Sequence, residues 1–238
     1  LEQHFECPDC QDTGYVGTKK CHCFLKAIID LFYTQSNLKG LLEQENFEHF
    51  NFDYYSSNYR DRLSGQNSLE LATRAYQECM NFIHNFDTEH GNLLLFGNTG
   101  IGKTFLSHCI AKEVMDSLHS VLYLTASEFF DALLEKALNR NDESCLLYEQ
   151  IHLCDLLIID DLGTERNTDF VVSQLFVCLN DRILNRKSTI ISTNLTLEEI
   201  KTNYTERTFS RISNHYKILR LAGDDIRIQK KLMYREEH

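Results

Sequence analysis

The sequence predicts an α/β fold: a five-stranded parallel sheet with helices on both faces, spanning residues 67–238 behind a small cysteine-rich unit. Three observations carry that expectation. Strand-like segments at 93–96, 121–124, 156–159, 189–192 and 216–221 alternate with longer helical patterns, as strand–helix–strand crossovers require. A glycine-rich loop at 97–104 joins the first strand to a helix. The third strand ends in two adjacent aspartates.

From the N-terminus, residues 1–25 place Cys7-Pro8-Asp9-Cys10 ahead of Cys21-His22-Cys23. Residues 11–20 between them carry glycines and β-formers, so they read as a small hairpin. A thiol pair followed by Thr-Gly makes a knuckle whose backbone N–H groups support the sulfurs. Two such pairs facing each other give a tetrahedral Cys₄ zinc site (Cys7, Cys10, Cys21, Cys23), structural rather than catalytic. The alternatives are a metal-free reduced or disulfide-bonded cluster, and a site in which His22 or His4 replaces one sulfur. Nothing points to secretion, and thiols in the cytosol stay reduced. Cys79, Cys109, Cys145, Cys154 and Cys178 lie in apolar surroundings and read as core residues.

Residues 26–66 read as a linker into the core. A helical pattern (Phe24, Ile28, Ile29, Leu31, Phe32) leads to an aromatic segment at 46–55 that includes Phe47 and Phe50. The core opens on the buried strand 93–96 and the loop Gly97-Asn98-Thr99-Gly100-Ile101-Gly102-Lys103-Thr104. Its glycines let successive backbone N–H groups curl inward around a phosphate chain, and the helix at 105–115 adds the positive end of its dipole. Lys103 is placed to reach β- and γ-phosphates, and Thr104 to offer its hydroxyl to Mg²⁺. These residues imply a bound nucleoside triphosphate.

After the second strand, residues 127–134 form an amphipathic helical pattern with Ser127 as its expected cap. The run Asp155-Leu156-Leu157-Ile158-Ile159-Asp160-Asp161 is a buried strand that delivers two carboxylates to the C-terminal edge of the sheet, where ligands bind in such folds. Asp160 is expected to hold Mg²⁺ through water and Asp161 to polarise the attacking water. A further buried strand, Ser188-Thr189-Ile190-Ile191-Ser192-Thr193-Asn194, ends with Asn194 placed to hydrogen-bond a γ-phosphate or the water, or simply to start a turn.

Composition narrows the class. With 42% hydrophobic residues and no run approaching membrane-spanning length, the chain reads as a folded cytoplasmic protein that engages no membrane. It opens on Leu1, so an upstream segment is expected to be missing. The net charge of −11 argues against indiscriminate binding of nucleic acid. The stretch 207–235 is nonetheless basic, with Arg207, Arg211, Lys217, Arg220, Arg227, Lys230, Lys231 and Arg235 against Asp224 and Asp225.

The glycine loop, the Asp-Asp strand and the Thr-Asn strand, in this order, resemble the P-loop NTPase core of AAA+ ATPases. Cys7 to Cys23, the stretch Leu157-Ile158-Ile159-Asp160-Asp161-Leu162-Gly163-Thr164-Glu165 and the stretch Glu206-Arg207-Thr208-Phe209-Ser210-Arg211-Ile212 narrow the resemblance to bacterial helicase loaders of the DnaC/DnaI type. The IstB transposition ATPases share the core. The resemblance implies an ATP- and Mg²⁺-controlled switch that self-associates with ATP at subunit interfaces. It further implies contact with single-stranded DNA and with a replicative helicase, the latter mainly through the missing N-terminal segment. Rival readings are a transposition ATPase acting on duplex DNA and a nucleotide-gated adaptor with little hydrolysis.

In that family an arginine from one subunit completes the next subunit's site, and Arg211 matches this arginine finger. Arg207 lies on the same helical face. Arg227, in Gly223-Asp224-Asp225-Ile226-Arg227, is a candidate second phosphate contact. Phe47 and Phe50 either line an adenine pocket, as the matching stretch does in related initiators, or pin the linker to the core. Lys136 and Arg140 are candidate contacts for single-stranded DNA against an acidic flank of Glu128, Asp131 and Glu135.

Two departures from the AAA+ pattern carry expectations. Asp161 stands where many members have Glu, one methylene longer, so hydrolysis is expected to be slow. Residues 222–238 after the last strand are too few for the helical lid, so nucleotide affinity is expected to depend on a neighbouring subunit.

Overall fold

The structure, a computed structural model, describes residues 5–24, 26–27, 38–138 and 142–236. Ile28, Ile29, Leu31 and Phe32 of the expected linker helix lie outside the described residues, as do His4, Arg140 and the side chains of Cys145 and Arg235.

The N-terminal hairpin forms where the glycines place it: β1 (Tyr15–Val16) pairs antiparallel with β2 (Lys19–Lys20). Helix α1 (Leu38–Gln44) precedes two short 3₁₀ turns, Phe47–His49 and Phe52–Tyr54, capped by the side chains of Asn46 and Asn51. Helix α2 (Ser68–His84) starts at a reciprocal cap, with Asn67 accepting from the Glu70 N–H at 2.8 Å and the Glu70 carboxylate accepting from the Asn67 N–H at 2.9 Å.

The core then runs α3 (Phe86–Glu89), β3 (Leu93–Phe96), α4 (Lys103–Asp116), β4 (Val121–Thr125), α5 (Ala126–Ala137), α6 (Asp142–Leu153), β5 (Leu156–Leu162), α7 (Asp169–Leu184), β6 (Ser188–Thr193), α8 (Leu197–His215), β7 (Lys217–Arg220) and α9 (Ile226–Glu236). The five strands form one sheet in the order β4-β5-β6-β3-β7, every pair parallel. Strands β3 and β6 are buried along their whole length, β3 as a continuous apolar run and β6 with two isoleucines between buried Ser and Thr pairs.

All five expected strands form. The third runs on through both aspartates to Leu162, with an irregular register after Ile159. The cap of α5 is Thr125, not Ser127: Thr125 with Glu128 three residues on closes a capping box, which leaves Ser127 inside the first turn. Cys79, Cys109, Cys154 and Cys178 are buried in the core. Among the described residues, no helix is long and apolar enough to cross a membrane.

Two polar fastenings hold the parts together. Asp61, almost wholly buried, accepts from Arg220 of β7 at 2.9 and 2.6 Å, tying the linker to the edge strand. The Arg220 guanidinium holds the Asp61 carboxyl well below the usual carboxylate range, against the opposing pull of burial. On the opposite side of the sheet, Arg182 of α7 is 1% exposed and donates to the carbonyls of Ile151 and Ser188 at 2.7 and 2.6 Å and to the Thr189 hydroxyl at 3.0 Å. Its planar fork thereby joins the end of α6, helix α7 and the start of β6. An ammonium cannot reproduce that fork, so Arg182→Lys is expected to lose roughly 2–3 kcal/mol of stability in chemical denaturation, with unchanged secondary structure by circular dichroism.

Candidate functional site

Strand order dictates where the site lies. The chain leaves β3 for the far edge at β4, returns through β5 and β6, then passes β3 to reach β7. That reversal opens a crevice beyond the carboxyl ends of β3 and β6. The loop 97–104 leaves β3 into this crevice and ends at α4. Gly97 (φ 143°) is pressed against the Leu221 carbonyl, and Gly100 (φ 79°) against the Asp225 carboxylate, so a side chain at either position meets fixed atoms as well as an unfavourable backbone.

Residues from three strands converge here. Lys103 is buried and donates to the carbonyls of Gly97 (2.9 Å) and Asn98 (2.8 Å) and to Asn194 Oδ1 at the end of β6 (2.7 Å). Burial pulls the ammonium below its ordinary pKa, against the charges of Asp161 and Asp160. Thr104 Oγ1 stands 3.2 and 3.0 Å from the two carboxylate oxygens of Asp160 on β5. Asp161 follows with a positive φ of 56°, which aspartate tolerates better than most residues, and lines the cavity; burial, then the Asp160 charge, raises its carboxyl.

The cavity, about 340 Å³, is lined on one side by Thr99, Gly100, Gly102, Lys103, Thr104, Asp161 and Asn194. The linker and α9 close the other side with Glu45, His49, Phe50, Asn51, Tyr54, Tyr55, Ile226, Arg227 and Lys230. The two aromatic candidates therefore part company. Phe50 faces the cavity, whereas Phe47 packs edge-on against Tyr76 of α2 at 5.2 Å and does not line it. Tyr55, not singled out in the sequence, donates to the Ile101 carbonyl at 3.2 Å and so ties the linker to the loop.

Arg227 reaches the cavity lining with its guanidinium held by Asp225, Nε at 3.0 Å and Nη2 at 2.7 Å. Arg207 and Arg211 share one face of α8, as their spacing requires, and line a separate shallow depression with Phe176, Glu206 and Ser210. Lys136 lies in the last turn of α5, behind the acidic Glu128 of its first turn.

The four cysteines of the knuckle meet. Cys7 and Cys21 sulfurs are 3.7 Å apart, those of Cys10 and Cys23 are 3.3 Å apart, and all four lie within 4.8 Å of one another. Tetrahedral zinc–thiolate geometry needs about 3.8 Å between sulfurs, so the set fits one ion. The Gly14 N–H points at Cys10 Sγ (3.3 Å), and Asp12 holds the Cys7 N–H (2.7 Å). His22 lies beside the cluster, its ring nitrogens 3.5 Å from Cys21 Sγ and 3.9 Å from Cys7 Sγ. The hydroxyl–carboxylate pair of Thr104 and Asp160 offers the hard oxygen ligands that suit Mg²⁺.

Comparison with known proteins identifies the family and the fold. The family model of IstB-like ATP binding proteins matches residues 34–233. The chromosomal replication initiator protein DnaA of Treponema pallidum (strain Nichols) is 29% identical over 127 residues, which cover 53% of this chain and 27% of that protein. The replicative helicase loader DnaC of Escherichia coli (strain K12) is 24% identical over 180 residues, 76% of this chain and 67% of DnaC. The chain thus spans about a quarter of the DnaA it matches. A crystal structure of the DnaC helicase loader superposes with a TM-score of 0.58 at 23% identity, covering 72% of this chain and 96% of that one, a likeness of fold.

The Asp225–Arg227 pair generates a prediction. Asp225→Asn frees the guanidinium and removes a negative charge from beside Gly100, and both changes favour a polyphosphate in the cavity. Binding of a fluorescent ATP analogue is expected to tighten about threefold to tenfold, a change of roughly 1 kcal/mol.

Proposed function

This chain belongs to the family of IstB-like ATP binding proteins, and from that premise we propose that it is an ATP- and Mg²⁺-controlled loader of a replicative DNA helicase. It self-associates with ATP at subunit interfaces and grips single-stranded DNA. The observation that carries this reading is the separation of two halves of one hydrolytic site. Lys103, Thr104, Asp161 and Asn194 line the cavity, with Asp160 behind Thr104, whereas Arg207 and Arg211 line a different depression. An arginine finger, Arg211 by its place in the motif, therefore reaches a γ-phosphate only from a neighbouring copy.

Each residue's role follows. Backbone N–H groups from Gly97 to Thr104 receive the phosphates, and Lys103 transfers its hydrogen bonds from loop carbonyls to the β- and γ-oxygens. Thr104 and Asp160 hold Mg²⁺, which draws charge from the phosphates when bound. Asp161 orients the attacking water and Asn194 touches the γ-phosphate or that water. Phe50 supplies an apolar wall for the base, and Arg227 a second phosphate contact once it leaves Asp225. Asp161 reaches one methylene less far than Glu, which supports slow hydrolysis and a timer rather than a motor. The knuckle is a structural zinc site. Protein prepared without chelator is expected to carry one zinc per chain by elemental analysis, and Cys10→Ser to lose it without losing nucleotide binding.

The family match supports a second reading, an IstB-like ATPase acting on duplex DNA. Fluorescence anisotropy with single- and double-stranded oligonucleotides of equal length, at low fixed salt and with or without ATP–Mg²⁺, separates the two. A loader shows ATP-dependent preference for single strands, and Arg211→Ala keeps ATP binding while losing that preference and at least tenfold of the hydrolysis rate. Preference for duplex moves the assignment to the transposition class. Binding to neither, with Arg211→Ala indifferent, moves it to a nucleotide-gated adaptor.

A further inference from the structure

Tyr123 was silent in the sequence, one apolar-looking position within a buried strand. In the sheet it is not silent. Strand β4 pairs with β5 so that Tyr123 lies beside Ile158 and Thr125 beside Asp160. Residues 158 and 160 share one face of β5, so Tyr123 projects on the face of Asp160, one pleat upstream. A phenol is long enough to span that pleat, and its hydroxyl donates to Asp160 Oδ2 at 2.6 Å.

On the other flank of β5, strand β6 presents Ser192. Its hydroxyl donates to Asp160 Oδ1 and accepts from the Asp161 N–H at 3.0 Å. Each carboxylate oxygen thus has a hydroxyl of its own, from opposite neighbouring strands, and Thr104 straddles both. Two fixed donors on two different oxygens set the plane of a carboxylate, which one donor cannot do. Thr104 Oγ1 must also offer a lone pair to a cation, whereas the Tyr123 and Ser192 hydroxyls are left to hold the carboxylate.

We infer that Tyr123, with Ser192, is a positioning residue that locks the Asp160 carboxylate in the orientation its Mg²⁺ role requires. The inference rests on the nucleotide reading given above. Behind Tyr123 the His108 ring packs at 4.8 Å, itself held by Glu45 at 2.5 Å. The phenol is therefore clamped by its ring as well as by its hydroxyl, and Tyr123→Phe keeps that packing while deleting the one bond at issue.

The test is the Mg²⁺ dependence of nucleotide binding, read with a fluorescent ATP analogue titrated with MgCl₂ from an EDTA baseline. For Tyr123→Phe the half-saturating Mg²⁺ is expected to rise about tenfold, in line with losing one hydrogen bond to a charged group. Its metal-free nucleotide affinity is expected to match the parent's, with only a modest fall in thermal midpoint from the lost hydrogen bond. Ser192→Ala is expected to act in the same direction. A half-saturating Mg²⁺ within twofold of the parent in Tyr123→Phe overturns the positioning role while leaving the nucleotide reading intact. A parent protein that binds no nucleotide at any Mg²⁺ concentration overturns both.

Discussion

Lys103 brings a cation into a buried position at the floor of the cavity, and much of the site is arranged around that ammonium. Three acceptors surround it: two carbonyls of its own loop and the Asn194 side chain. The loop presents those carbonyls with Gly97 and Gly100 in backbone conformations that other residues rarely adopt, packed under Leu221 and Asp225 where a Cβ would collide. Asn194 can reach only because β6 lies beside β3 in the sheet, an arrangement that in turn requires the chain to jump from β3 to β4 before returning. Strand order, glycine placement and one buried charge are thus parts of the same constraint.

The linker belongs to that constraint as well. Read along the sequence, residues 26–66 separate a knuckle from a core. In space residues 45–55 of that stretch form one wall of the cavity, bonded to the loop through Tyr55, and Asp61 ties the stretch to the edge strand through Arg220. The basic C-terminal stretch proves less free than its charge suggests, for the same reason. Arg220 is committed to Asp61, Lys217 to Glu78, and Arg227 to Asp225. The knuckle is joined to the core through Lys20, which pairs with Glu149 of α6.

How much of this was legible follows from range. The loop 97–104, the aspartate pair and Asn194 each announce themselves within a few residues, because backbone conformation and a strand's terminal residue are local properties. The α5 cap was equally local, since Thr125 and Glu128 spell a capping box, and Ser127 merely stood nearer the apolar run. Tyr123, Ser192 and Tyr55 depend instead on which strand or loop lies alongside. Apolar periodicity identifies β4 and β6 but cannot say that both flank β5, and without that neighbour Tyr123 is another core aromatic. The division between Phe47 and Phe50 is of the same kind: both pack against Tyr76, and only Phe50 also meets Tyr55 and Phe105 beside the cavity.

Helix α8 contains one residue that does not belong in a helix. Thr205 sits at φ 74° and ψ 158°, a conformation that costs a β-branched residue roughly 1–3 kcal/mol. Tyr204 just before it is buried and bonded to Glu165, in the loop that follows the aspartate pair; Arg207 and Arg211 lie just after it. The two arginines therefore follow a strained kink rather than continue an unbroken helix. Tyr204 and Glu165 couple the loop beside the acids to the residue before the kink, while Thr208 and Ile212 seat the arginine-bearing segment after it in the core.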